Sequence, residues 1–411
     1  MPDRISFGPF LLDPDRARLF KDNVELKLRP QATLVLRTLL RMAGQYVSYE
    51  QLIRDAWGGT VVSQHTVNST VGDVRKALGE YGRWISYRPK LGYRFQVPDS
   101  DELIRAGWHL AERRSRQGFE KAMDFFRRAI EADSSDFRAF EGLSFSYLML
   151  GLYGMRPPHE MYSGFLEAHS RAVALAGCTP KLRVNRAHGL HIFERRFEEA
   201  ESEFTRALRE DPSNVSGYVR LALLYATLRR LDKALEVLAQ GRRIDPLWPT
   251  LSATEVFLRL CRREFDAAVL SGKQGLDLHP YLHLARAYYA QALEYSNEHE
   301  LALAQYRLAH VIEPDIYWVR ALEARCLANM GRRADAETVL EELEETRLSE
   351  YVDAYYMALL FEALGRRDDA IEELDRAIDE NSATLYMVDV DPKMDTLRSD
   401  RRFDKLRDRL F

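Results

Sequence analysis

Long apolar runs are missing from this 411-residue chain. No stretch of about 18 or more apolar residues occurs, which excludes a bilayer-spanning helix of the ordinary kind. Cysteine is scarce. Cys178, Cys261 and Cys326 are odd in number and too widely spaced for a disulfide framework or a zinc motif, so reduced, packed thiols are expected. The start, Met1-Pro2-Asp3-Arg4 into Ile5-Ser6-Phe7, lacks the apolar core of a secretory signal, and a cytoplasmic protein is expected. Catalytic signatures are missing as well: there is no G-x-S-x-G elbow, H-E-x-x-H, G-x-x-x-x-G-K-[ST] or G-x-G-x-x-G. His188 and His191 lie at helical spacing, yet both fall on packing positions, and Pro280 keeps His279 and His283 off one continuous helix. Neither an active site nor a metal or cofactor is expected.

What the chain does have is enough apolar material, 46% of its residues, to bury a real core, and enough length for two or three domains of roughly 150 residues each. Its net charge of −4 conceals an asymmetry. Residues 1–98 hold 15 Lys+Arg against 9 Asp+Glu, a net of +6, and the remainder holds 44 against 54, a net of −10. A basic head on an acidic body points to a module facing nucleic acid.

A fixed period organises the body. Pro212, Pro246, Pro280 and Pro314 stand 34 residues apart, as do Ala200, Ala234, Ala268, Ala302, Ala336 and Ala370. Between these markers a paired-helix pattern recurs: Tyr218, Leu221 and Tyr225 on a first helix, then Ala234, Leu238 and Gly241 on a second, closed by Asp245-Pro246. The small residues let two helices approach, and the proline stops the second.

This unit resembles the tetratricopeptide repeat. The resemblance covers residues 102–382 in about eight units, with 383–411 left as a capping segment. The unit starting near Phe137 is stretched by Met155-Arg156-Pro157-Pro158-His159, so a loop or lengthened helix is expected to bulge there. Gly272 and Gly275 stand where bulk and alanine are commoner, and a loose second helix is expected. The family stacks its pairs into a superhelix with a concave face, which implies binding rather than catalysis. On that face Tyr288, Tyr295, Trp318, Tyr355 and Tyr356 would either line a groove for a peptide, protein or small-molecule ligand or serve as ordinary inter-helix packing. Arginine pairs at 195–196, 229–230, 262–263, 332–333 and 366–367 recur at the turns, where helix C-termini favour cations.

The head begins with strand-like runs at Ile5 to Phe7, Phe10 to Leu12, Ala17 to Phe20 and Val24 to Leu28, broken by Gly8-Pro9, Asp13-Pro14 and Asp22-Asn23. Pro30 suits the first turn of a helix carrying Leu34, Leu36, Leu39 and Leu40. Ser48 can cap a second helix that ends at Gly58-Gly59. A third, from Gln64 to Leu78, has one apolar stripe of Val67, Val71, Val74 and Leu78, spaced 4, 3 and 4. Away from it lie Thr66, Ser69, Thr70 and Asp73, short polar groups able to meet base edges, with Arg75 and Lys76 for phosphates. Trp84 to Tyr87 and Tyr93 to Val97 then read as a hairpin whose tip carries Arg88 and Lys90.

These stretches, with Tyr49-Glu50-Gln51-Leu52-Ile53-Arg54-Asp55-Ala56-Trp57, Arg75-Lys76-Ala77-Leu78-Gly79 and Leu91-Gly92-Tyr93-Arg94-Phe95, resemble the winged helix-turn-helix of the OmpR/PhoB type. The resemblance implies that the third helix enters the major groove of double-stranded DNA and the wing touches the minor groove. Thr66, Ser69, Thr70 and Asp73 would then face bases, Arg75 and Lys76 phosphates, and Arg88 and Lys90 would make the wing contacts. Gly72 and Asp73 replace basic residues of better-known members, so affinity per module is expected to be modest, with a homodimer or tandem site as compensation. No receiver domain is expected before the head, and the membrane helix of ToxR- and CadC-like relatives is missing. The order of parts resembles HilA-like regulators, which join this head to tetratricopeptide repeats. The expected fold is therefore mainly α: an α+β winged helix-turn-helix at 1–98, then a helical solenoid. The expected function is a DNA-binding transcriptional regulator and not an enzyme. The alternative is a repeat scaffold whose head has lost DNA binding.

Overall fold

The computed structural model describes residues 4–21 and 24–410. The Met1-Pro2-Asp3 start and the expected break at Asp22-Asn23 lie outside the described residues. The head opens with β1 (Ile5–Phe7), β2 (Phe10–Asp13), β3 (Arg18–Lys21) and β4 (Val24–Leu26), one antiparallel sheet in sequence order. Then come α1 (Pro30–Arg41), β5 (Tyr46–Val47), α2 (Tyr49–Trp57), α3 (Gln64–Leu78), a 3-10 turn at Gly79–Trp84, β6 (Ile85–Arg88) and β7 (Gly92–Phe95). Strands β5, β7 and β6 form a second sheet in that order. The short β5 and the 3-10 turn are additions to the elements expected from sequence.

Local chemistry explains the boundaries. Pro30 takes the first position of α1, and the Ser48 side chain accepts the Gln51 amide at 3.2 Å to start α2. Gly58 ends α2 in the left-handed region. One core joins Phe10, Leu12 and Leu19 of the first sheet to Val35, Leu36 and Leu39 of α1, Leu52 of α2 and the α3 stripe. Trp84 and Phe95 close it with edge-on ring contacts. Gly8 must be glycine: at φ 52° its missing Cβ would fall 2.4 Å from the Trp84 ring.

The body consists of successive helix pairs: α4 (Ser100–Ala111) and α5 (Arg116–Ala132), α6 (Phe137–Leu152) and α7 (Pro158–Ala176), α8 (Pro180–Ile192) and α9 (Phe197–Glu210), α10 (Val215–Thr227) and α11 (Leu231–Ile244). They continue as α12 (Leu251–Cys261) and α13 (Phe265–Leu278), α14 (His283–Tyr295) and α15 (His299–Ile312), α16 (Tyr317–Asn329) and α17 (Arg333–Thr346), α18 (Ala354–Ala363) and α19 (Arg367–Asp379). Short 3-10 turns between residues 383 and 399 lead to α20 (Arg401–Leu410). The chain packs as two compact units, residues 1–108 with 124–140, and residues 109–123 with 141–411. Within the first unit Gly107 lies against the Phe126 ring and Glu131 pairs with Arg83, so part of the first helix pair packs with the head.

All six alanines of the 34-residue series are fully buried, which is what close helix approach requires. The turns carry a second series with the same spacing. Arg195, Arg229, Arg263, Asn297, Gly331 and Gly365 all adopt positive φ, between 55° and 78°, where each first helix ends. At 195–196, 229–230 and 262–263 one arginine of the pair occupies this left-handed position, whereas at 332–333 and 366–367 the glycine before the pair does. Of three further expectations, the first resolves to one of its two alternatives and the other two change. The segment around Met155 gives a lengthened α7 of 19 residues, while Met155 itself is buried. Around Gly272 and Gly275, α13 is regular and tight rather than loose: a Cβ on either would fall 2.6 Å from Tyr289 or Ser252. Of the thiols, Cys261 and Cys326 are buried, but Cys178 is exposed.

The segment after α19 caps the last pair with Phe403, Leu406 and Leu410 of α20, and it also runs back across earlier repeats. Tyr386 meets His191 of α8 and Phe257 of α12, and Lys393 donates to Gln291 of α14 at 2.7 Å. Asp389 pairs with Arg229 at 3.1 Å and Asp395 with Arg263 at 2.7 Å, both at left-handed turns.

Candidate nucleic-acid interface

Ser63 caps α3, accepting the Thr66 amide at 3.2 Å. Val67, Val71, Val74 and Leu78 are sealed in the core, so the opposite side of the helix must face outward. That side is the stripe His65, Ser69, Gly72 and Lys76, exposed throughout and spaced 4, 3 and 4. Thr66 is exposed beside it and Thr70 half-buried. Their hydroxyls rest in local bonds, Thr70 donating to the Thr66 carbonyl at 2.8 Å and Thr66 lying 3.0 Å from the Ser63 hydroxyl. Such bonds exchange readily for a base or phosphate partner.

Two candidate residues are engaged inside the head. Asp73 is half-buried and pairs with Arg29 at 3.4 Å. Arg75 donates to the Ile85 carbonyl at 2.8 Å and lies 5.7 Å from the Tyr93 ring, fastening α3 to the wing rather than extending into solvent. Lys76 points outward. The wing turn closes with Leu91 N–H donating to the Arg88 carbonyl at 3.1 Å, leaving Arg88 and Lys90 exposed. Lys90 adopts φ 69°. At Gly92, φ 101°, an added Cβ would strike the Val47 carbonyl at 2.1 Å, which is why the residue returning from the wing is glycine.

Sequence reasoning missed Asn68. Its Oδ1 accepts from Tyr49 at 2.6 Å and Tyr93 at 2.8 Å, tying α2, α3 and β7 at one point. Tyr87 completes a cluster of rings, 5.1 Å from Tyr93 and 6.2 Å from Tyr49. Burial raises the pKa of Tyr49, and the bond to Tyr49 raises that of exposed Tyr87, so both stay protonated. The only sequence hint was three tyrosines flanking an asparagine in separate elements. Across the repeats, Tyr288, Trp318 and Tyr356 line one cavity, Trp318 and Tyr356 stacking at 5.3 Å. Tyr295 stacks instead on Phe265 at 5.2 Å, and fully buried Tyr355 donates to Asp391 at 2.9 Å.

Residues 23–95 match the family model described as transcriptional regulatory protein, C terminal, and residues 194–253 match the tetratricopeptide repeat. The chain joins an OmpR/PhoB-type domain to tetratricopeptide repeats. Over 81 residues it is 39% identical to the transcriptional regulatory protein CutR of Streptomyces coelicolor, covering 20% of this chain and 37% of that protein. Over 98 residues it is 26% identical to the transcriptional activator CadC of Escherichia coli, covering 23% of this chain and 19% of CadC. The chain thus spans little more than a third of the first of these relatives and less of the second. A solved structure of the human IFIT1 dimer with m7Gppp-AAAA aligns over 81% of this chain and 82% of that one, at 16% identity and a TM-score of 0.52, a likeness of fold. Among the described residues no helix is long and apolar enough to cross a membrane, and no three His, Cys, Asp or Glu side chains gather as a metal site would need.

Proposed function

We propose that this protein is a DNA-binding transcriptional regulator of the cytoplasm, in which α3 enters the major groove of double-stranded DNA and the β6–β7 wing contacts the backbone beside it. The repeats serve as the module that receives a signal, a partner or a second copy. The observation that carries this reading is the exposed stripe His65, Ser69, Gly72 and Lys76, flanked by Thr66 and Thr70 and followed by the exposed wing cations Arg88 and Lys90. Short polar groups read base edges, and the wing cations supply sequence-independent attraction. The +6 charge of residues 1–98 favours the same contact.

A scaffold that no longer binds DNA drew its support from Gly72 and Asp73. The pairing of Asp73 with Arg29 offsets the acid that would repel phosphate. Gly72 leaves room rather than obstructing, with nothing within 4 Å of a Cβ there.

A gel-shift series with duplex DNA at rising salt tests the proposal. Each phosphate contact adds about 0.9 to the slope of log affinity against log salt. The double variant Arg88→Ala, Lys90→Asn is expected to weaken binding to all sequences and flatten the slope by about 1.8. Asparagine is chosen at 90 because it tolerates positive φ. Thr70→Val is expected to change sequence preference instead. No binding by the unaltered protein at low salt, or an unchanged slope in the double variant, would refute the placement.

A further inference from the structure

The second unit holds a partly open cavity of about 110 Å3, walled by α6, α8, α10, α12, α14, α16, α18 and the segment after α19. An apolar cavity of about 150 Å3 accepts benzene, so this space suits a molecule with a single ring. Much of its wall is aromatic: Phe257, Tyr288, Trp318, Tyr356 and Tyr386. Such faces favour a flat, apolar guest.

The polar part of the wall is unusual. Arg220 of α10 is 6% exposed. Its Nη1 donates to the neutral Asn185 side chain at 2.6 Å, its guanidinium lies 5.9 Å from the Phe145 ring, and no carboxylate pairs with it among the described residues. Burial lowers its pKa to about 9, a sign of an uncompensated charge. His188 of α8, 2% exposed and lining the same cavity, leaves both ring nitrogens without a partner. Burial first, and the nearby Arg220 charge second, keep this imidazole neutral. Arg114 completes the basic side and donates to the Tyr153 hydroxyl at 2.7 Å.

One acid, Asp353, borders the space among the described residues. Its oxygens are already occupied: Oδ1 accepts from Ser382 at 2.8 Å and the Tyr355 amide at 3.0 Å, and Oδ2 accepts from Thr384 at 2.7 Å. The free polar capacity therefore belongs to donors and to a cation.

We infer that this cavity is a binding site for a small organic anion, a single flat ring bearing a carboxylate or phosphate, with the anionic group on Arg220 and the ring among the aromatic side chains. A charged hydrogen bond to a buried guanidinium is among the stronger ones available to a protein. His188 supplies one more N–H in its neutral form. The inference stands apart from DNA contact, because every residue involved belongs to the second unit.

The test uses the intact chain without DNA. Binding of benzoate, phenyl phosphate and the uncharged isostere benzamide is measured by titration calorimetry. At least one anion is expected to bind tenfold or more tightly than benzamide, and the comparison of the two anions shows which group is preferred. Arg220→Gln, which can still bond to Asn185, is expected to reduce the anion preference below twofold. Leu223→Trp fills the space from a half-exposed wall position without removing a cation and is expected to abolish binding of all three probes. Equal affinity for benzamide and both anions, or no anion binding at millimolar concentration, overturns the inference. So does an anion preference that survives Arg220→Gln. Should Arg220→Gln lose its helical circular dichroism, Leu223→Trp decides, since unchanged anion binding in that variant places the site elsewhere and refutes the inference.

Discussion

Replacing Gly72 by alanine adds one methyl group to the outward stripe of α3 and separates folding from recognition. Gly72 lies in the interior of a 15-residue helix, exposed, with no heavy atom within 4 Å of the position its Cβ would take. Alanine there meets no obstacle and removes a glycine penalty of about 1 kcal/mol. With RT about 0.59 kcal/mol, this corresponds to a roughly fivefold smaller opening equilibrium for the helix. Hydrogen exchange followed by mass spectrometry on the full chain reads it directly, as about fivefold greater protection in peptides covering 64–78. Gly72 is also flanked on the stripe by Ser69 and Lys76, where DNA would approach, so the same methyl is expected to weaken duplex binding in a gel shift. Unchanged or lower protection would show that Gly72 does not sit in an open helical interior. Greater protection with unaltered DNA affinity would refute the orientation of α3 proposed above.

Other outcomes follow from the repeat unit. Arg195 combines positive φ with a buried, unpartnered Nη2, and burial lowers its pKa, so Arg195→Gly is expected to stabilise by about 1 kcal/mol, read as a rise in thermal midpoint. His169, His191 and His283 are pushed down to about 4, 3 and 3 by burial, and His188 well below its usual value. The unfolded chain then takes up more protons than the folded one below about pH 6.5, so stability falls from there toward pH 4, by up to about 1.4 kcal/mol per pH unit for each imidazole. Glu313, raised by burial to about 7, acts in the opposite sense, as do Glu131, Asp353 and Glu380, whose carboxyls burial also raises, while His310, lowered by burial, adds to the imidazole side. Urea midpoints that are flat between pH 7 and 5 would refute this. Asp391, fully buried, accepts from Tyr355 and pairs with Lys393 at 2.9 Å. Asp391→Ala leaves that ammonium unpaired and is expected to cost about 3–5 kcal/mol, measured by chemical denaturation.

Features fixed by a regular period were legible in the sequence. The valine stripe of α3 follows the helical repeat, and the buried alanines follow the 34-residue unit. The caps at Ser48 and Gly58 were legible because short-range hydrogen bonding and backbone preference set them locally. The role of Arg75 was not, because its target is the Ile85 carbonyl, ten residues away in a strand whose register is fixed by pairing. Asn68 escaped notice for the same reason: its partners Tyr49 and Tyr93 come together only after folding. The left-handed turns were hidden by mixed residue types, since arginine, asparagine and glycine all occupy the same position. The return of the 383–399 segment carries no periodic signal, and it partly covers the aromatic residues for which the sequence left groove lining and inter-helix packing both open.

That returning segment changes how the array should respond to damage. In a stack whose members touch only their neighbours, trimming one end leaves the rest standing, and melting can proceed piecemeal. Here Asn381 donates to the Phe193 carbonyl across 188 positions, and Asp395 reaches Arg263 across 132. Such closures cost chain entropy and slow folding, yet they bind the tail and the middle into one cooperative block. Removing the final turns should therefore loosen helices near the middle of the chain, and inserting or deleting a whole 34-residue module would pull the clasp out of reach.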